Sequence, residues 1–218
     1  MTLIYDNLVS TVIATTVILI LASIQLRATQ QQVATSAQYA MTQQTKQLSS
    51  WLQEDLERIG KNMGGGRVPV DTIIVPGDDS TATWWTKQFV FERDSITSGG
   101  STVRIKIRYD IQNTGTQTIN GTQRDVYRLE RDRKVGGNSW KSTGGSAATL
   151  GYFDVDMLNK NAEPVENPET HLQTHPDTVR SVRVRFSVLP PFENDQLPVS
   201  ASRTNTVVAP YLPANPWE

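Results

Sequence analysis

Residues 8–26 read LVSTVIATTVILILASIQL, and this run decides the fold. It holds no charged residue and has the length of a helix that crosses a bilayer, for which about 20 apolar residues suffice. Leu8, Val12, Ile13, Val17, Leu21 and Ile24 are among its large apolar positions. Ser10, Thr11, Thr15, Thr16, Ser23 and Gln25 make it less greasy than a plain anchor. Such residues are tolerated where helices pack on helices and hydrogen-bond across the contact. The run is therefore expected to meet other helices as well as lipid.

Outward from this run the helical signal continues. No glycine or proline, the two strongest helix interrupters, occurs before Gly60 and Pro69. A helix covering residues 1–59 would reach roughly 85–90 Å, at about 1.5 Å per residue. Beyond Arg27 the pattern turns amphipathic: Val33, Ala37, Met41, Leu48, Leu52, Leu56 and Ile59 recur at helical spacing among Gln, Thr and Ser. One face wants a partner, and Leu48, Leu52, Leu56 and Ile59 are expected to pack on a sheet. Gly60 is the expected left-handed cap.

Towards the N-terminus, Asp6 is the only charged side chain before Arg27. No basic residue precedes the apolar run, so it does not read as a secretory signal. Basic residues mark the cytoplasmic flank of a membrane helix. Taken literally, Arg27 would put the C-terminal part inside the cell. A basic leader removed from in front of Met1 would resolve the conflict, so a processed chain is expected.

The opening, Met1-Thr2-Leu3-Ile4-Tyr5-Asp6, resembles the mature N-terminus of type IV pilins and the related pseudopilins of type II secretion. Thr2, Leu3 and Ile4 match in place. The family's acid stands one position earlier, where this chain has Tyr5. The ending Asp55-Leu56-x-Arg58-x-Gly60 resembles the end of the first helix in larger minor pilins and pseudopilins. The resemblance implies cleavage by a prepilin peptidase and N-methylation of Met1. It also implies that Asp6 pairs with a neighbouring subunit's terminal amine. Leu3, Ile4, Leu8, Val12, Ile13, Val17, Leu21 and Ile24 would form a filament core. The bland alternative for Asp6 is a helix-start acid favoured by the macrodipole. The helix lacks the breaking Gly or Pro common in pilins; only the Thr15-Thr16 pair offers a reason for local melting.

The remainder, residues 60–218, reads as β structure with long loops. Val103, Ile105, Ile107, Tyr109 and Ile111 alternate with Arg104, Lys106, Arg108 and Asp110. Phe89 and Phe91 lead into Ser98-Gly99-Gly100-Ser101, a hairpin signal. Tyr127 and Leu129 mark another strand. Val182, Val184, Phe186 and Val188 form the last one, stopped by Pro190-Pro191. Residues 112–123, with an Asn120-Gly121 turn, residues 136–151 and residues 159–176 read as polar loops. The Pro-containing tail, residues 205–218, reads as an extended surface arm. The expected fold is α+β: a long N-terminal helix, apolar in residues 1–26 and amphipathic after them, packed on an antiparallel sheet.

Composition excludes more chemistry than it suggests. The chain has 218 residues, a net charge of -1 and no cysteine. Disulfides and thiolate sites are therefore ruled out, and a nucleic-acid footprint is not expected. Gly64-Gly65-Gly66 lacks the Lys-Ser/Thr continuation of a phosphate loop. His171 and His175 are spaced for a metal on a helix, but Pro168 and Pro176 flank them and argue for a loop. Asp154, Asp156, Asn159 and Asn161 are rich in oxygen ligands but lack the glycine and terminal Glu of a calcium helix–loop–helix. Calcium-binding C-terminal loops in some pseudopilins keep that alternative open. Asn120-Gly121-Thr122 fits a glycosylation pattern. Arg180, Arg183 and Arg185 read as a solvated strand face, with a DNA-contacting patch as the alternative. There is no evident nucleophile–base pair, so no catalytic, cofactor or metal residue is assigned.

The resemblance points to a structural subunit of a pilus-like filament, a homo-oligomer held in the cytoplasmic membrane before assembly and exported to the bacterial cell surface. Its partners would be the prepilin peptidase and the pilus or secretion machinery. A minor pilin or pseudopilin that primes a filament is one alternative. A singly anchored membrane protein presenting a β-domain for binding is another. An enzyme is the least expected class.

Overall fold

The computed structural model describes residues 2–64, 67–75, 86–119, 121–175, 178–191 and 202–210. The first element, α1, is a continuous helix of 55 residues, Thr2–Leu56. The Thr15-Thr16 pair does not interrupt it. Their hydroxyls donate to the carbonyls of Thr11 and Val12, each at 2.8 Å, so they are satisfied within the helix. By packing, the chain forms two compact units, Met1–Tyr39 and Ala40–Glu218. A boundary at residue 60 follows the end of an element. The boundary drawn by packing falls inside α1, because the helix acquires a buried face only in its second part.

The helix ends one turn earlier than Gly60. After Leu56 the bonds tighten: Arg58 N donates to Asp55 O and Ile59 N to Leu56 O, both at 3.1 Å. Ile59 thus belongs to a turn. Gly60 has φ 71°, a left-handed conformation that costs glycine least. Its amide donates to the Glu92 carbonyl at 3.0 Å, which ties the exit of the helix to the sheet.

The sheet has eight strands: β1 Val70–Ile74, β2 Gln88–Ile96, β3 Thr102–Ile119, β4 Thr122–Val135, β5 Lys141–Gly145, β6 Leu150–Leu158, β7 Ser181–Val188 and β8 Arg203–Pro210. A short helix, α2, Pro168–Thr174, lies between β6 and β7. The order is β1-β2-β3-β4-β6-β7-β8, with β5 on β4, and every pairing is antiparallel. Between β4 and β6 only Tyr127 and Leu150 pair. The sheet is therefore two meanders that meet at one point.

The alternation sorts the faces as the sequence predicts. Ile105, Ile107, Tyr109 and Ile111 are buried, as are Val182, Val184, Phe186 and Val188. They share one core with Met41, Leu48, Leu52, Leu56 and Ile59. Arg104, Lys106 and Arg108 turn to the other face, where they meet Glu92, Asp71 and Asp132. The protein is an α+β fold in which the amphipathic part of a long helix packs on an antiparallel sheet.

Four readings of local structure need correction. Residues 112–119 are not loop: β3 pairs with β4 as far as Ile119 opposite Thr122, around Gly121 at φ 71°. A bulge between Asn113 and Gly115 lets polar residues continue the ladder, with Gly115 N donating to Asn113 Oδ1 at 2.8 Å. The polar stretch 136–151 contains β5, paired to β4. The tail is a strand as far as Pro210: β8 pairs with β7 from Ser181 opposite Pro210 to Val188 opposite Arg203. Pro210 sits at the strand's end, where a missing donor does least harm. Pro168 opens α2 rather than preventing it, because proline lacks only an N–H that the first turn leaves unused. Residues 211–218, Pro176 and Asn120 lie outside the described residues.

Leu52 is fully buried while Ile18 is 64 % exposed. Leu52→Ala is expected to destabilise the detergent-solubilised chain by about 2–5 kcal/mol. Ile18→Ala should stay within about 0.5 kcal/mol. Denaturant unfolding monitored by tryptophan fluorescence reads both, and equal effects would refute this division of the helix.

Candidate functional site: an uncovered apolar helix and a buried anchor

The first unit presents apolar side chains that none of the described residues covers. Leu8, Val12, Ile13, Val17, Leu21 and Ile24 are each between 48 % and 61 % exposed. The helix is long and apolar enough to cross a membrane, with a mean hydropathy of 2.1 and none of its most apolar window buried. An exposed patch of this kind marks a membrane or protein contact. Leu3 and Ile4 also fall inside α1, and Met1 lies outside the described residues.

Four of the six polar residues in the run, Thr11, Thr15, Thr16 and Ser23, need no partner helix to satisfy their protons. Thr11 Oγ1 donates to Asn7 O at 2.7 Å and Ser23 Oγ to Ile20 O at 2.8 Å, as Thr15 and Thr16 do to their own preceding turn. The sequence reading assigned these residues to contacts across helices. In this chain they bond within their own helix, and their lone pairs remain available to a neighbour.

Asp6 is exposed and forms no ion pair among the described residues. The first turn of α1 contains no acidic residue, so Asp6 lies beyond it. The macrodipole's attraction falls off within that turn, which weakens the helix-start role for this carboxylate.

In the second unit, the end of α1 is held by one buried carboxylate. Asp55 Oδ2 accepts the Tyr109 hydroxyl at 2.8 Å and Arg131 Nε at 2.6 Å, and Oδ1 accepts Arg131 Nη2 at 2.8 Å. Asp55 is 4 % exposed. Its two-pronged bond to the guanidinium is the strong, directional form of ion pair. Trp51 closes the group, edge-on to Tyr109 at 5.6 Å and 5.8 Å from the Arg131 guanidinium carbon. Burial, then the neighbouring Asp55 charge, pushes the Tyr109 phenol well above its ordinary range. The bond to Asp55 holds the Arg131 pKa up, against the opposing effect of burial.

The helix's polar residues are docked as well. Ser49 accepts from Asn205 Nδ2 at 2.5 Å, Thr42 from Arg203 at 2.8 Å, and Gln44 from the Thr149 hydroxyl at 2.9 Å. The sequence singled out Asp55 only as part of the Asp55-Leu56-x-Arg58-x-Gly60 ending, with no buried role. A readable signal existed: Asp55 sits three residues after Leu52 and four before Ile59, on the apolar stripe. Its partners, 54 and 76 positions away, carried no such signal.

Most of the remaining candidates are engaged elsewhere. Arg183 pairs with Asp156 at 2.8 Å and Arg185 with Asp154 at 2.6 Å across β6 and β7, while Arg180 is exposed and forms no ion pair among the described residues. Asn159 Oδ1 accepts the amides of Asn161 and Glu163 at 2.8 and 3.1 Å and braces a turn. His171, on α2, and His175, which caps its C-terminus, have tilted rings with centres 5.4 Å apart, and His171 Nε2 contacts the Thr178 hydroxyl. Among the described residues no His/Cys/Asp/Glu group is arranged to hold a metal ion. No family model, curated protein or solved structure matches the chain.

Asp55→Ala leaves Arg131 buried without its counter-charge and should cost about 3–5 kcal/mol. Replacing both residues by apolar ones of similar volume should recover much of that loss, and a double-mutant cycle measures it. Tyr109 also makes stability depend on pH at the alkaline end. Above pH 10.0, the ordinary phenol pKa, the unfolded chain loses a proton that the folded chain keeps. Stability is then full below that pH and falls as pH rises beyond it, and Tyr109→Phe should flatten the decline in equilibrium unfolding curves.

Proposed function

We propose that the chain is a structural subunit of a type IV pilus-like filament, anchored in the cytoplasmic membrane by residues 8–26 before assembly. The observation that carries this reading is a contrast within one helix. From Met41 onward, one face of α1 is buried in the protein's own core. The large apolar side chains of residues 8–26 are uncovered by the chain itself. Lipid covers them first, and neighbouring copies of the same helix cover them afterwards. Apolar burial, at about 25 cal/mol per Å², then drives assembly. The resemblance of Thr2, Leu3 and Ile4 to the pilin N-terminus supports the reading, as does the arrangement of a β-rich unit on the helix's second part.

In this reading the terminal amine of one subunit is paired with Asp6 of another. A charge left alone in a bundle of apolar helices would cost several kcal/mol, on the order of the penalty for a buried unpaired ion. A minor subunit that primes a filament would use the same contact. A second reading has one observation in its favour: Thr11, Thr15, Thr16 and Ser23 satisfy their hydroxyls within α1, as a single membrane anchor requires. That reading makes the protein a membrane-anchored β-domain that never polymerises.

One experiment separates the two. Filaments sheared from cells should contain this chain, with a methyl group on Met1 by peptide mass analysis. Asp6→Ala should leave membrane insertion intact and lower filament yield at least tenfold, with Asp6→Glu milder. If the chain stays in the membrane fraction and Asp6→Ala changes nothing, the single-anchor reading stands.

A further inference from the structure

Charges do not balance around the last turn of α1. Gly60 N donates to Glu92 O at 3.0 Å and Asp94 N to Lys61 O at 2.9 Å, so the chain leaving the helix flanks Arg93 on both sides. Arg93 stands opposite Ile105, and Arg133 stands opposite Ile107. Directly opposed residues share a face. Ile105 and Ile107 are buried, so both arginines rise from the helix-covered face.

The carboxylates at the end of α1 already hold partners, Glu57 accepting the Gln53 side-chain amide at 2.8 Å. Asp55 is taken by Arg131 and Tyr109, and Glu54 by Arg58 at 2.7 Å. Neither Arg93 nor Arg133 forms an ion pair among the described residues. Arg133 Nε is buried without a hydrogen-bond partner. By contrast, Arg67, Arg104, Arg108, Arg131, Arg183 and Arg185 are all paired. Burial, then the like charges of Arg58 and Arg133, lowers the Arg93 pKa. Both Arg93 and Arg133 remain partly open to solvent.

We infer that Arg58, Arg93 and Arg133 form an oxyanion-binding site at the C-terminal end of α1, taking a phosphate-type or carboxylate group. Planar guanidinium forks match both groups in two-pronged bonds. Partly desolvated cations hold an anion more strongly than cations in open water. Arg58 can join because its present bond is an exposed i,i+4 pair, worth about 0.5 kcal/mol or less. The competing account needs no ligand: cations near a helix C-terminus are favoured by its macrodipole. This inference does not depend on the filament reading.

The test uses the full chain in detergent, with chloride replaced by inorganic phosphate or by acetate at fixed ionic strength. Phosphate is expected to raise the unfolding temperature of the parent. Arg93→Gln and Arg133→Gln should lose that shift, and Arg104→Gln, on the opposite face, should keep it. Arg93→Gln relieves repulsion, so in chloride it should unfold at or above the parent temperature, which separates lost binding from lost fold. A shift with phosphate alone assigns a tetrahedral oxyanion. A shift with acetate as well assigns a site that also takes carboxylates. No shift with either anion, or an undiminished shift in Arg93→Gln, overturns the site. Arg93→Gln that unfolds early and still responds to phosphate assigns the arginine to the helix dipole instead.

Discussion

The buried carboxylate of Asp55 sets the relation between the end of the helix and the sheet. Apolar packing alone is indifferent to small slides and rotations of a helix over a sheet. Leu52, Leu56 and Ile59 could be accommodated in more than one register. The bond from Asp55 to Arg131 and Tyr109 admits one arrangement, because any other would leave a carboxylate, a guanidinium or a phenol buried and unpaired. The net stability of such a group is modest, but the penalty for breaking it is large. That asymmetry suits a device that specifies position. The turn at Gly60 and its bond to Glu92 then follow from where the helix has been stopped.

One helix therefore meets two physical demands. Its second part is an ordinary amphipathic element whose apolar stripe is answered by β2, β3, β6 and β7. Its first part has no answering surface among the described residues, and its large apolar side chains stay open. Charged residues follow the same division. Asp6 is alone in the apolar part among the described residues. The sheet's outer face, in contrast, carries cross-strand pairs such as Arg108–Asp132 and Arg183–Asp156. Each exposed pair is worth little, about 0–1 kcal/mol. They do not set the strand register, which also places Lys106 opposite Lys134 and Asp110 opposite Glu130; the buried alternation does, because a one-residue slip would turn the apolar side chains outward. Arg93 and Arg133 differ from these cross-strand pairs: they rise from the helix-covered face and form no ion pair among the described residues.

The elements that local pattern specifies were legible. The long helix followed from the missing glycine and proline, and β3 and β7 from their strict alternation. Residues 112–119 and 205–210 were misread for a shared reason. Polar composition and proline lower the local preference for a strand. In the structure their backbone groups are satisfied by a neighbouring strand, Arg128 to Thr122 in one case and β7 in the other. The prolines beside α2 misled in the opposite sense, because a proline's effect depends on which helical position it occupies.

By itself the sequence determined the extent of the helix to within a turn, the switch from an all-round apolar run to a one-sided stripe, and which strand residues face a core. These follow from periodicity and from the absence of breakers, both local properties of the chain. Only the tertiary structure decided the strand order, the single point of contact between β4 and β6, and the partners of Asp55. Those depend on which distant segments share a neighbourhood. Tyr109 and Arg131 have no local reason to be special until a buried carboxylate stands beside them.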